Sequence, residues 1–188
     1  MKQTIVSCFA AAALFMGSPE PLAARPPAQQ PEPAQTSGTR NLPKVHVTGI
    51  KVLEVGVFSS TVTSRDRSLS VADGNLDRAQ DFKLLRRGNV VEAALGTGIG
   101  LRYKLVGAPK GAQVVVDVVV RHPQMVNPDT QLPMNMSSAQ YERNIGAVEH
   151  SVWSFDTPGS LVPGEYVIEI IYRDKVLARQ AFKVLGKQ

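Results

Sequence analysis

Residues able to do acid–base or metal chemistry are few in this chain and lie far apart. There are three His and one Cys. His46, His122 and His150 fall on separate segments, without the i,i+2 or i,i+4 spacing that places two metal ligands on one strand or helix. A Gly-x-Ser-x-Gly nucleophile motif and a Ser-x-x-Lys pair are also missing. The sequence therefore predicts no catalytic residues, no metal site and no cofactor, and we expect the protein not to be an enzyme.

The best candidate for a binding site is the stretch 122–138, HPQMVNPDTQLPMNMSS, which follows a strong strand signal. We expect a long loop here, and long loops in compact domains often carry function. The candidate binding residues are His122, Asn127, Asp129, Met134 and Met136, together with Trp153, the only Trp. The Met side chains suit either an adaptable contact surface or soft Cu(I) coordination. A competing interpretation is favoured, in which they pack the loop onto a sheet and Asn127-Pro128-Asp129 forms an ordinary turn.

Closely spaced glycines at positions 96, 98 and 100 are the residue type that lets backbone N–H groups surround a phosphate. That chemistry needs a helix directly after the glycines, whereas residues 101–106 (LRYKLV) alternate as a strand does. We therefore interpret the glycines as a bulge or as a place where two strands approach closely.

Short segments with strand character, separated by turn residues, cover most of the chain beyond residue 44. The clearest are the Val-rich run 113–121 and the run 166–172 (YVIEIIY), which alternates Tyr and Ile onto one face. Residues 176–185 complete a terminal β-hairpin whose turn is 173–175. Further strands are predicted at 45–58, 89–95, 101–106 and 148–155. This arrangement predicts an all-β fold, an immunoglobulin-like two-sheet β-sandwich.

The polar stretch 59–88 is harder to assign, because Ser, Thr, Arg and Asp dominate it. Its part 76–87 is the one window compatible with a helix, although it lacks a sustained apolar stripe. We interpret the basic residues between Lys83 and Arg87 as a solvated turn, since nucleic-acid binding needs Lys and Arg clustered on one face. We expect no nucleic-acid partner.

The first 24 residues have the three-part pattern of a secretory signal peptide. Lys2 precedes an apolar run from Ile5 to Met16, which is shorter than the roughly twenty residues needed to cross a bilayer. Cleavage is expected after Ala24. A lipoprotein cut before Cys8 is the weaker alternative, because the apolar run follows that Cys instead of preceding it. We expect a periplasmic or secreted protein with no stable membrane anchor, and a mature chain without thiols or disulfides.

Residues 25–43 are rich in Pro and Gln and have almost no residues that could form a core, which predicts a disordered spacer. Residues 44–188 remain as one β-sandwich domain, long enough to enclose a single core. Removing 1–24 takes away one Lys and one Glu, so the formal net charge of +5 is unchanged. A charge of this size permits contact with an anionic envelope surface without indicating it.

Several motifs follow one another in a recognisable order: 98–112 (GIGLRYKLVGAPKGA), then Arg121-His122-Pro123 with Asn127-Pro128, then 161–166 (LVPGEY). Together they resemble a family of uncharacterised bacterial domains of unknown function over about residues 47–184. The resemblance implies a small, often exported protein and supplies no catalytic residues. The chain end from Pro163 onward also resembles immunoglobulin-like domains, in which a corner Tyr holds a crossing connection through its hydroxyl. Tyr166 is the candidate for that role.

Three interpretations of function remain open. The leading one is a non-enzymatic periplasmic binding or accessory module that recognises an envelope protein or polymer through an end loop or an exposed strand edge. The alternative is a copper carrier or an enzyme whose site is assembled around the 122–138 stretch. The third is a structural domain that the spacer holds near a partner. An unpaired edge strand would favour the first, and His122 meeting other ligands in a cleft would favour the second.

Overall fold

The computed structural model of the protein describes residues 44–186, which fall within one compact unit. The expected signal peptide (1–24) and spacer (25–43) lie outside the described residues, so both stay predictions. The elements are β1 (His46–Arg67), β2 (Asn75–Arg87), β3 (Val90–Glu92), β4 (Thr97–Ala108), β5 (Gln113–Val126), β6 (Pro133–Asn144), β7 (Glu149–Phe155), a 3-10 turn (Pro158–Ser160), β8 (Gly164–Tyr172) and β9 (Lys175–Leu185).

These strands form two sheets around a shared core. The first has the order β2-β1-β4-β7, and the second has the order β3-β9-β8-β5-β6. The pairs are antiparallel except for β3, which runs parallel to β9. The predicted two-sheet β-sandwich is confirmed. The other predicted strands correspond to β1, β4, β5, β7, β8 and β9, and the expected strand 89–95 is reduced to the short β3.

The core comes from apolar alternation along the strands. In β5, Val114, Val116, Val118 and Val120 are all buried, while the residues between them are less so. The central strand β8 is buried on both faces, so every residue from Tyr166 to Ile170 is buried. Burial of each aliphatic side chain contributes roughly 1.5–3 kcal/mol to the stability of the fold. With one Cys in the sequence, no disulfide within the chain adds to this stability.

Tyr166 holds the corner that leads into β8. Its side chain is fully buried, and its hydroxyl donates a hydrogen bond of 2.8 Å to the carbonyl of Val162. Burial raises the pKa of this phenol, so it remains a hydrogen-bond donor. The tyrosine corner predicted from the sequence is confirmed.

The glycines of β4 allow β7 to approach closely. A Cβ atom on Gly98 would lie 2.6 Å from the carbonyl oxygen of Trp153, and one on Gly100 would overlap the carbonyl of Ser151. The β4–β7 register runs without a bulge. Close strand approach is therefore the correct interpretation of the glycines, and a phosphate loop is wrong because β4 continues as a strand through them.

Strand β1 is longer than the predicted 45–58, and its second half builds a feature that the sequence did not indicate. After Phe58, β1 runs past the start of β4 and pairs only with β2. We call residues 59–83 the arm; it is a two-stranded ribbon with its turn at 68–74. Val71 and Ala72 in that turn are buried.

The expected helical window 76–87 is wrong, because these residues form β2. Asp81 has a left-handed φ of 56° and lies where the β1–β2 register shifts. Because of the extra residue in this bulge, Ala79 and Phe82 are both half-buried although they lie three residues apart, a spacing that is also typical of one face of a helix.

The expected long loop at 122–138 is also wrong. Strand β5 continues to Val126 and β6 begins at Pro133, which leaves 127–132 as a hairpin turn. Pro123 misled the prediction because Pro usually ends a strand. Here it lies between Arg121 and Met125, where the β5–β6 register is irregular and a missing N–H is tolerated.

Candidate binding cleft

A cleft opens between the edge strands β6 and β7, which belong to different sheets. The two strands are joined by a short turn, at which the backbone N–H of Asn144 donates to the Glu149 carboxylate at 3.1 Å. The arm lines the other end of the cleft. The volume of the cleft is about 800 Å³, a size that accommodates a small ligand or a short peptide segment.

Arg143 closes the end of the cleft near this turn. Its Nη2 donates to the carbonyl of His150 on β7 at 3.1 Å, and its Nη1 donates to the carbonyl of Glu142 at 3.1 Å. Its guanidinium also lies 4.6 Å from the centroid of the Tyr141 ring, a cation–π contact. Arg143 therefore ties the edges of both sheets together at this end and leaves the middle of β6 open.

The middle of β6 presents backbone groups to the cleft. In an antiparallel pair, alternate residues turn their N–H and C=O groups away from the partner strand. The N–H of Ser138 points away from β5, because it donates to the carbonyl of Ser70 in the arm at 2.9 Å, and the N–H of Asn144 does so too, because it donates to Glu149. Gln140 and Glu142 lie two and four residues after Ser138, so their N–H and C=O groups also point away from β5. Apart from the Glu142 carbonyl that Arg143 caps, their outward backbone groups have no partner among residues 44–186.

Carboxylates gather around one arginine at the arm end. Arg65 binds Asp77 through two hydrogen bonds of 2.6 Å and lies 3.5 Å from Asp156. Burial raises the pKa of Asp156, and a hydrogen bond with Asp77 raises it further. Burial also raises the pKa of Asp73, to which the charge of Asp77 adds. Burial is the main cause of both shifts, and the neighbouring carboxylate of Asp77 adds to each.

The lining of the cleft is acidic in a protein that is basic overall. Its charged residues are Asp73, Asp77, Glu142, Glu149 and Asp156 against Arg78 and Arg143. Adding Arg65, which binds two of these carboxylates, gives five negative and three positive groups, a balance of −2. The chain as a whole carries +5. The cleft therefore favours a cationic ligand over an anionic one.

Trp153 forms part of the cleft wall and is the centre of an aromatic cluster. Its ring stacks on His122 with centroids 5.1 Å apart, and Tyr166 lies 6.2 Å away. Trp153 is 6% exposed, and its indole N–H has no hydrogen-bond acceptor within the described part of the chain. A buried donor of this kind usually has a partner.

Of the residues predicted to bind, His122 lies in a closed hydrogen-bond network. Its Nδ1 donates to the carbonyl of Pro123 at 2.8 Å, so Nε2 accepts from the Ser137 hydroxyl at 2.9 Å. Ser137 in turn accepts from the N–H of Ala72 in the arm at 2.9 Å. Burial lowers the pKa of His122. Both ring nitrogens are occupied, so His122 fastens the arm to β5 and β6.

Asn127 also lies in a hydrogen-bond network within the fold. It is fully buried, and its amide donates to the carbonyl of Val71 at 2.8 Å. Its side-chain oxygen accepts from the N–H groups of Asp129 and Thr130 at 2.9 and 3.0 Å. This is the turn expected at Asn127-Pro128-Asp129, with the added role of holding the arm. Asp129 lies outside the cleft, 3.4 Å from Arg67.

The methionines do not gather at one site. Met125 is buried in the core, Met134 packs against it, and Met136 is 43% exposed. Within residues 44–186, no group of three or more His, Cys, Asp or Glu side chains is arranged to hold a metal ion. His46 is exposed, and His150 stacks on Phe82 of the arm with centroids 4.5 Å apart. Of the six predicted binding residues, only Trp153 lines the cleft.

Sequence reasoning missed the residues that give the cleft its character: Asp73, Asp77, Gln140 and Asp156. The aspartates of the arm lie in the polar stretch 59–88, where no apolar period revealed a strand. Gln140 lies in β6, whose first residues were assigned to the predicted loop 122–138 and whose remainder was not predicted as a strand. One signal was available: Asp73-Gly74-Asn75 is a turn sequence, and a turn there predicts a strand on either side of it.

The geometry defines a class of protein: an immunoglobulin-like β-sandwich with a lateral cleft and no recognisable catalytic centre among the described residues. The fold is similar to the crystal structure of an immunoglobulin-like protein from Pseudomonas aeruginosa. The TM-score is 0.52 at 25% identity, covering 76% of this chain and 97% of that one. An alkylpurine DNA glycosylase from Pseudomonas fluorescens, bound to DNA containing an abasic-site analog, matches at a TM-score of 0.32 and 18% identity over 70% of this chain and 30% of that one.

The family is shown by a match to the domain of unknown function DUF3859 over residues 46–184, and the chain belongs to that family. The resemblance inferred from the sequence motifs is confirmed. No curated protein matches the sequence. Across residues 44–186, no helix combines the length and apolar character that crossing a membrane requires.

Proposed function

We propose that the protein is an exported, non-enzymatic binding or accessory module of the bacterial envelope, and that the cleft between β6 and β7 is its binding site. The observation that carries the proposal is the open middle of β6, where the outward N–H and C=O of Gln140 have no partner among residues 44–186 and lie beside a cleft of about 800 Å³. Unpaired edge strands recruit extended partners by main-chain hydrogen bonding. Immunoglobulin-like sandwiches commonly act as recognition modules, and this analogy supports the proposal without carrying it.

Export is tested by fractionating cells that produce the full chain or a variant lacking residues 1–24. We expect the full chain outside the cytoplasm, shortened by about the mass of residues 1–24, and the variant inside it. Full-length protein that stays in the cytoplasm would contradict the export part of the proposal.

Binding through the cleft is tested by placing a photoreactive amino acid at Gln140 in living cells. The matched control is the same residue at Val176, which is 49% exposed at the start of β9 and does not line the cleft. We expect a discrete cross-linked adduct from position 140 and none from position 176. Adducts of equal yield at both positions, or none at 140, would refute the assignment of the cleft.

A further inference from the structure

We propose that the cleft binds a short extended peptide carrying a Lys or Arg side chain, by strand addition to β6 at Gln140, with the cationic group placed against Asp73 and Asp156. This inference rests on the proposed function and names the class of ligand. Three independent features of the cleft support it: the free strand edge, the charge balance, and the unsatisfied indole of Trp153.

The strand edge fixes the backbone part of the ligand. Between Ser138, which the arm covers, and Asn144, which Glu149 covers, β6 offers the N–H and C=O of Gln140 and the N–H of Glu142. At about 3.4 Å per residue, this interval spans roughly 20 Å. It therefore admits about five extended residues and up to three main-chain hydrogen bonds.

The aspartates select the side chain of the ligand. Arg65 is committed to Asp77 through its bidentate pair, and its separation from Asp156 is longer, at 3.5 Å. Burial raises the pKa of both Asp73 and Asp156, so an added cation would stabilise their charged forms. A polyanion such as nucleic acid, or an acidic polymer, would instead meet the five carboxylates of the lining.

The aspartates and the strand edge lie in the same cleft. Asp73 and Asp156 line it together with Gln140 of β6. Trp153 lines the same cleft with a buried N–H that has no acceptor among the described residues. A carbonyl of an occupying peptide is the kind of group that this donor lacks.

The test uses the purified full-length protein and three blocked pentapeptides. The first alternates Val and Lys, the second alternates Val and Glu, and the third is the Lys peptide with alternate backbone nitrogens methylated. Binding is measured by calorimetry and by the fluorescence of Trp153, the only Trp. We expect the Lys peptide to bind at least tenfold more tightly than either of the others, because each loses one recognition element.

Two variants locate the site. Asp156→Asn is expected to weaken binding of the Lys peptide by about tenfold, which corresponds to about 1.4 kcal/mol, while Glu165→Gln, an exposed carboxylate on β8 outside the cleft, leaves it unchanged. Gln140→Pro removes the outward N–H without removing a β5–β6 ladder bond and should weaken binding similarly. If Gln140→Pro does not fold, the methylated peptide tests the same hydrogen bonds.

Each outcome separates the inference from the proposed function. Equal binding of the Lys and Glu peptides, or of the methylated peptide, would refute the inference while cross-linking at position 140 left the proposed function standing. Sedimentation showing a dimer that Gln140→Pro dissociates would also refute it, since a second copy of the chain would then occupy β6. Loss of both cross-linking and peptide binding would refute both proposals.

Discussion

The protonation of His122 should make the stability of this domain fall as the pH falls below neutrality. His122 is 5% exposed, and burial lowers its pKa, so the folded protein holds it neutral. The unfolded chain takes up a proton near the ordinary pKa of about 6.5. Between these two pKa values the unfolded state binds more protons than the folded state, and the free energy of unfolding must decrease as the pH is lowered.

The size of this effect is bounded. One such group contributes at most about 1.4 kcal/mol per pH unit within its window. His150, whose pKa burial also lowers, contributes in the same direction. Asp73 and Asp156 act in the opposite direction, because their raised pKa values let the folded state bind protons first, in the range above 3.8. His150, Asp73 and Asp156 are present in every variant, so their contributions cancel when the variants are compared at the same pH.

The assay is denaturant unfolding from pH 7.5 to 5.5 for the parent chain, His122→Gln and His46→Gln. His122→Gln should be less stable at pH 7.5, because the network to Ser137 and Pro123 is altered. Its stability should then fall less steeply with pH than that of the parent, by up to about 1.4 kcal/mol per unit. His46 is exposed, and we expect the stability of its variant to change with pH as that of the parent does. Parallel curves for His122→Gln and the parent would refute the reasoning.

Three further substitutions test the fold by the same unfolding measurement. Tyr166→Phe removes the bond to Val162 and should cost about 1 kcal/mol, with a loss below experimental error arguing against the corner. Gly100→Ala should lower the free energy of unfolding by about 3 kcal/mol, because the added Cβ overlaps the backbone of β7. Gly49→Ala is the control: no atom lies within 4 Å of its added Cβ, so the loss should be under about 1 kcal/mol. Equal losses in the two variants would contradict the close approach of β4 and β7. Asn127→Ala breaks three hydrogen bonds and should cost about 2–3 kcal/mol, against under about 0.5 kcal/mol for the exposed Asn135→Ala.

The sandwich could be predicted because its central strands are short apolar runs bounded by turn residues. Residues 114–120 (VVVDVVV) and 166–172 (YVIEIIY) each contain one acidic residue among apolar and mostly β-branched ones. The hairpin turn at Arg173-Asp174, with left-handed φ angles of 47° and 62°, lies where a turn was predicted. Burial of these strands leaves this record in the sequence, since polar residues are costly in a core.

The cleft could not be predicted, because the arm that lines it is held by strand pairing and leaves no pattern of buried apolar residues in the sequence. Residues 61–67 of the arm are all exposed, so no apolar period marks them as a strand. The bulge at Asp81 shifts the remaining period, and Pro123 hides the continuation of β5. The acidic cluster then depends on Arg65, Asp77 and Asp156, which lie far apart in the sequence and meet only through the arm.

The arm also has a consequence for the order in which the protein opens. It is attached at its tip mainly by Val71, Ala72 and the hydrogen bonds of Ser137, Ser138 and Asn127. Of the arm's residues only Val71 and Ala72 belong to the buried hydrophobic core, so the arm should form a cooperative unit of lower stability than the sandwich. The amides of Ala72 and Ser138 would then exchange with solvent deuterium together, and faster than those of β8. We expect peptide-level hydrogen exchange to show that the arm, which forms one wall of the cleft, opens as a unit. A ligand that spans β6 and the arm should slow this exchange.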